Sequence, residues 1–338
     1  MTDQLSDHAS QGSETYYSEI QESSDGNIAF HITREQFQAD REATTRGTLN
    51  PSIMNKPFWK HMVWTGRDAY SARKQYIGPG KEFEELDGPD PNPSPVWCFH
   101  VRFGKTATRL PDGRIVYIAG EHEDWYDPDF CIYNDVIVVE PSCMPEAEVD
   151  TGACDRTLSY LEEPVIDFEP TRAICPVNAP DQITIYGYPL DVFLPTDFHT
   201  ATYYAEPAEA SVNHDDATKP PGKEFIYIIG GGGYRNDQHL REECLVYRLD
   251  LADFTIERQT TSGDGPPGIS TRKDHKAKLV TGGIEITLME NVRAGEGNED
   301  KDDGADGMNE SVPVSLKKGK RYLLELPGLN WKVLESTV

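Results

Sequence analysis

Residues 103–118, FGKTATRLPDGRIVYI, read as a strand, a turn and a second strand. The same sentence returns at 198–229, where FHTATYY and EFIYII flank a polar insert, and again at 274–288, DHKAKLVTGGIEITL. Each copy opens with a basic or histidine residue two positions before an alanine: Lys105, His199 and His275. A unit this small cannot bury its apolar face alone, so the copies must pack on one another in an array or a ring.

The repeat extends beyond the hairpin. In the middle copy a glycine run, Gly230 to Gly233, follows the second strand, and LVYRLDLADFTIERQ occupies 245–259. YLLELPGLNWKVLE at 322–335 aligns with it, Tyr247 on Tyr322, Leu249 on Leu324, Asp250 on Glu325 and Ile256 on Trp331. In the first copy Gly120 stands where the glycines fall, IYNDVIVVEP (132–141) supplies a third strand and ITIYGYP (183–189) a fourth. Four short strands per unit, alternating in polarity and bent at glycine after the second, is the wiring of a propeller blade.

On these residues the chain resembles the kelch-repeat β-propeller family (the galactose-oxidase/kelch type), over roughly residues 95–338. It is similar in particular to a subgroup sharing the phrases GYP…PTDFHTAT, here within 187–202, and EHED…DPDFCIYND, here within 121–135. The resemblance implies an all-β fold: a kelch-type propeller or partial propeller of four-stranded blades, preceded by a short helical N-terminal segment. Two departures stand out, since the glycine doublet is Ala119-Gly120 in the first unit and Leu288-Met289 in the last. Kelch-like copper oxidases need two Tyr, two His and a thioether-forming Cys, and that set does not map onto this chain.

Composition narrows the function classes. A net charge of −26 repels phosphate backbones and anionic lipid, so nucleic acid and membrane are excluded as expected partners. No apolar run reaches the ~20 residues of a membrane helix, and the N-terminus lacks the basic and apolar regions of a signal peptide, which points to the cytoplasm. The cysteines, Cys98, Cys131, Cys143, Cys154, Cys175 and Cys244, contain no CxxC and read as reduced, mostly buried thiols.

Three regions follow from the composition shifts. Residues 1–33 read as a disordered acidic tail and 34–90 as a helical cap and linker. Residues 91–338 read as the β domain, with mobile inserts near 141–180, 205–223 and 291–318. Within the cap, Phe58, Trp59, Met62 and Trp64 are expected to pack on the outermost blade or to cover an open strand edge.

Two places carry candidate chemistry. The loop 120–135, GEHEDWYDPDFCIYND, gathers Glu121, His122, Glu123, Asp124, Asp127 and Asp129, an oxygen-rich set that suits a divalent metal. Its bland counterpart is turn capping by Asp127 and Asp129, with Asn134 and Asp135 tying the next strand back. In a radial array the repeat openings would also converge near the axis, bringing Arg102, Lys105, Asp197, His199 and His275 around a pocket, unless the histidines merely bond to a neighbouring blade. No GxSxG, Walker or HExxH pattern is present. The favoured function is therefore a protein-binding module that presents its blade loops and needs no cofactor. The alternative is a metal-dependent or small-molecule enzyme using the 120–135 segment. Exposed blade edges would also pair between chains in a homodimer.

Overall fold

The repeated hairpins become the leading strands of three mostly antiparallel sheets in a computed structural model. It describes residues 21–22, 28–29, 32–41, 43–54, 56–77, 96–100, 102–124, 127–141, 182–207, 222–233, 243–293 and 314–334. At 21–22, 28–29, 70, 73–74, 77, 123–124, 127–130, 290–293 and 314–318 the description is of the backbone alone.

Chain order runs β1 (Gln21–Glu22), β2 (Ile28–Ala29), α1 (Arg34–Arg41), β3 (Ser52–Ile53), α2 (Pro57–Thr65) and α3 (Ala69–Ile77). There follow β4 (Thr106–Arg109), β5 (Ile115–Ile118), β6 (Glu121–Asp124), β7 (Asp127–Ile132), β8 (Asp135–Val139) and β9 (Ile183–Gly187). Next come β10 (Thr200–Ala205), β11 (Glu224–Ile229), β12 (Val246–Asp250), β13 (Ile256–Arg258) and β14 (Ser262–Gly263). The last strands are β15 (His275–Val280), β16 (Gly283–Arg293), β17 (Val314–Glu325) and β18 (Asn330–Leu334).

The first sheet has the order β3-β9-β8-β5-β4, the second β10-β11-β12-β13 and the third β14-β18-β17-β16-β15. The chain is thus mostly β, and none of these sheets closes on itself. Each contains four strands paired in chain order as an antiparallel meander. The alignment made from sequence holds at the level of pairing: Leu249 lies opposite Ile256, and Leu324 opposite Trp331. The leading strands are neighbours in space, because β10 packs against both β4 and β15.

Alternation along the strands decides how the sheets stack. In β8, Ile137 and Val139 point to a cluster with the helices, whereas Val136 and Val138 point to one shared with the second sheet. In β11, Ile226 and Ile228 join that same cluster, and Phe225, Tyr227 and Ile229 face Ile284, Ile286, Leu324 and Trp331 of the third sheet. Each fully buried side chain of this kind contributes about 1.5–3 kcal/mol relative to exposure. The layers are therefore helices, first sheet, second sheet, third sheet.

The helical segment expected near 34–76 is three helices with recognisable ends. Thr33 and Gln36 form a reciprocal capping box at α1, with Gln36 N–H donating to Thr33 Oγ1 at 3.1 Å and Thr33 N–H to Gln36 Oε1 at 3.0 Å. α2 begins at Pro57, its Phe58 N–H donates to the Asp40 carboxylate at 2.9 Å, and it ends at Gly66 in the left-handed region. Asp68 caps α3 through Ser71 N–H at 2.7 Å. Phe58, Trp59 and Met62 are buried against the first sheet, with Trp59 stacked on Trp97 at 5.2 Å, while Trp64 is half-buried. The edge of β9 is covered by β3, a strand that the sequence did not announce. Beside it, the Asn50 amide clips the first unit to the second, accepting from Ile256 N–H at 2.9 Å and donating to Ile256 C=O at 2.8 Å.

Three boundaries differ from the sequence reading. Residues 121–124 and 127–132 are not a loop but the paired strands β6 and β7, templated by Phe103 and Glu121, whose N–H and C=O groups bond both ways at 2.7 and 2.9 Å, and by the buried pair His122 and Cys131. The insert near 291–318 is shorter than expected, because β16 and β17 pair as far as Arg293 and Val314. The 205–223 insert narrows likewise, since Ala205 pairs with Glu224 and Glu206 N–H reaches Lys223 C=O. In the acidic N-terminal stretch, β1 and β2 pair with each other. The rest of 1–31 and the 142–181 segment lie outside the described residues.

Candidate functional site

Each of the three leading strands is entered through a left-handed residue at the same repeat position: Gly104 (φ 63), Phe198 (φ 52) and Asp274 (φ 60). A side chain in this region costs on the order of 1 kcal/mol or more, so Phe198 and Asp274 are held there by their surroundings. Gly104 has no alternative, because a Cβ there would sit 2.2 Å from Phe198 N, the group that donates to Gly104 C=O at 2.9 Å. This kink aims the next residue, Lys105, His199 or His275, along the row of leading strands.

The two histidines join adjacent sheets. His199 Nε2 lies 2.9 Å from Thr106 Oγ1 on β4. His275 Nε2 lies 3.0 Å from Ile229 C=O on β11 and 3.4 Å from Thr200 Oγ1 on β10. A carbonyl only accepts, so Nε2 of His275 carries the proton and Nδ1 does not. Both rings are buried, and neither Nδ1 has a hydrogen-bond partner among the described residues. Burial and the nearby His275 push the His199 pKa down to about 3, and burial lowers that of His275. Both are neutral near pH 7, and a base as weak as His199 is poorly matched to proton transfer there.

Glycine bends seal the same junctions. Gly120 N–H donates to Thr196 C=O, Gly231 N–H to Thr271 C=O, each at 2.9 Å, and Gly232 N–H to Asp197 C=O at 2.7 Å. With φ of +102, Gly231 could not carry a Cβ without placing it 2.1 Å from Thr196 Oγ1. Asp197 is buried with its Oδ1 lacking a hydrogen-bond partner among the described residues. The structure thus brings Asp197, His199, His275 and the glycine run together.

Arg102 belongs to a different cluster. Its guanidinium grips Asp135 bidentately at 2.6 and 3.0 Å and lies over the Tyr133 ring at 3.5 Å and the Trp97 ring at 4.7 Å. Trp97 Nε1 adds a bond to Asp135 at 3.2 Å. Burial opposes the guanidinium charge, but Asp135 reverses the balance and holds its pKa above the usual value. Lys105 Nζ donates to Phe99 and His100 carbonyls at 3.1 and 2.9 Å, and burial together with the Arg102 charge brings its pKa down to about 8.

Sequence reading picked out the histidines but missed the groups they meet. Thr106 and Thr200 follow the basic or histidine position directly, and the Lys-Thr-Ala and His-Thr-Ala triplets were the available signal. Trp97 and Tyr133 carried none. In the acidic segment, Glu121 is half-buried and His122 buried, whereas the side chains of Glu123, Asp124, Asp127 and Asp129 lie outside the description. Among the described residues no group of three or more His, Cys, Asp or Glu side chains could hold a metal ion. Cys98, Cys131 and Cys244 are buried thiols outside any disulfide, and burial pushes that of Cys244 up to about 11. No described helix is long and apolar enough to cross a membrane.

Comparison with protein-family models and with curated proteins returns no match.

Proposed function

We propose that this chain is a partial kelch-type propeller of three blades that binds protein partners through its inter-strand loops. One observation carries the reading: the best acid–base candidates, His199 and His275, are neutral, buried and already bonded to the neighbouring sheet. Their chemistry is spent on holding blades together, which leaves recognition to the segments that differ between repeats. The repeated φ values and the pairing of leading strands support the propeller part, because equivalent positions do the same work at each junction.

The test is to replace residues 208–221 and, separately, 235–242 with short Gly-Ser linkers and to compare proximity-labelling profiles in cells. Loss of a defined set of neighbours at unchanged melting temperature is expected. Unchanged neighbours in both variants would reject the reading. Stoichiometric divalent metal in the purified protein, lost in His122→Ala, would instead favour the enzyme alternative.

A further inference from the structure

We propose that the outward face of the third sheet is a docking surface for an acidic peptide segment of another protein. This face is distinct from the loops, and the inference does not depend on the loop-mediated reading.

Strand register defines the surface. Lys276 lies opposite Thr287, Thr287 opposite Arg321, and Arg321 opposite Leu334, so these four share one row. The next row is Lys278, Glu285, Leu323 and Lys332. Residues directly opposite point to the same side, and the adjacent residues Ile286, Tyr322 and Leu324 fill the core on the other. Four cations therefore stand on one side of a single sheet: Lys276, Lys278 and Lys332 exposed, Arg321 partly so. Opposing them are Glu285, 3.3 Å from Arg321, and Glu325, which pairs with Lys332.

An excess of positive charge here runs against a chain of net charge −26. At physiological ionic strength the screening length is about 8 Å, so a ligand on this face feels the local lysines more than the distant carboxylates. Lys276 and Lys278 sit about 7 Å apart along their strand, the spacing of alternate residues in an extended peptide. Leu323, opposite Lys332, and Leu334, opposite Arg321, lie half-buried on this face and offer apolar contact. The face thus suits an extended segment with carboxylates and interspersed aliphatic residues. The other sheets have no equivalent, since the first is covered by helices and the second is packed on both sides.

The test is fluorescence anisotropy of the full chain with a labelled peptide of repeating Glu-Glu-Leu at low and physiological salt. Saturable binding is expected, weakened about tenfold by Lys276→Glu/Lys278→Glu, and also weakened by Lys332→Glu. Matching melting temperatures would show that both variants fold. Equal affinity of wild type and variants overturns the proposal, as does tighter binding of a single-stranded oligonucleotide than of the peptide. Binding that emerges only after the carboxylates of residues 294–313 are neutralised assigns the face to the chain's own acidic segment. A reversible dimer dissociated by Lys276→Glu/Lys278→Glu assigns it to a second copy. Either result overturns a partner in trans.

Discussion

The second and third sheets are written from the same repeat but live in different surroundings. β11 in the middle of the second sheet is buried on both faces, whereas the third sheet buries one face and turns the other to solvent. At matched positions the residues change accordingly. Thr200, which meets His275 of the next sheet, becomes Lys276. Gly230-Gly231, whose backbone touches the next unit, becomes Leu288-Met289. At the other end Lys105 replaces histidine where a helical segment, and no sheet, precedes. The histidine and threonine positions are kept where two described sheets meet, His199 with Thr106 and His275 with Thr200, and change where no described sheet adjoins.

The largest contrast is between two ion pairs. Asp135→Ala leaves the Arg102 guanidinium buried without its carboxylate and should cost about 3–5 kcal/mol in urea unfolding. Glu285→Ala removes the half-exposed pair on the third sheet and should cost less than about 1 kcal/mol. Comparable costs would mean that the first-sheet cluster is wetter than its geometry implies.

Next in size is the bend. Gly231→Ala should destabilise by about 2–3 kcal/mol through strain at positive φ and collision with Thr196, while Met289→Ala at the matched region of the third sheet should cost below about 1 kcal/mol. Equal melting temperatures for the two variants would break the comparison.

Acid gives a third measure. His199 is neutral when folded, with a pKa of about 3, but in the unfolded chain it takes up a proton below about pH 6.5. Unfolding therefore binds a proton through the window between these values, and stability falls as pH falls by up to about 1.4 kcal/mol per unit for each such histidine. His199→Gln should flatten the dependence by one proton. An unchanged slope would show that the ring is protonated when folded.

The smallest effect is expected where the repeat has already been abandoned. Lys276→Thr restores the residue of the other copies, yet it should alter stability by no more than about 0.5 kcal/mol, because among the described residues no histidine of a following sheet is there to receive it. A clear gain by calorimetry would point to an unrecognised partner at that face.

Much of the architecture was legible because repetition and alternation are local. Ile256 and Trp331 each fall nine residues after Tyr247 and Tyr322, and the meander pairing of Leu249 with Ile256 and of Leu324 with Trp331 follows. The strand pair at 121–124 and 127–132 was missed because a run of carboxylates looks like a loop, whereas its pairing depends on Phe103, well outside the run. The same holds for Asn50, whose partner Ile256 is 206 positions away. The site was legible in part: His199 and His275 were picked out by their repeated place, but Arg102 was assigned to them when its partner is Asp135.

By itself the chain's amino-acid order determined the repeating four-stranded unit, the faces its strands bury and the places where the motif decays. Those are properties of spacing and hydrophobicity, which act over a few residues. Only the tertiary structure decided that the histidines face threonine and carbonyl groups across sheet junctions, that Arg102 meets Asp135 under two aromatic rings, and that the third sheet turns a basic face outward. Such pairings are made between strands distant in sequence, where close packing and the cost of burying an unpaired polar group choose the partner.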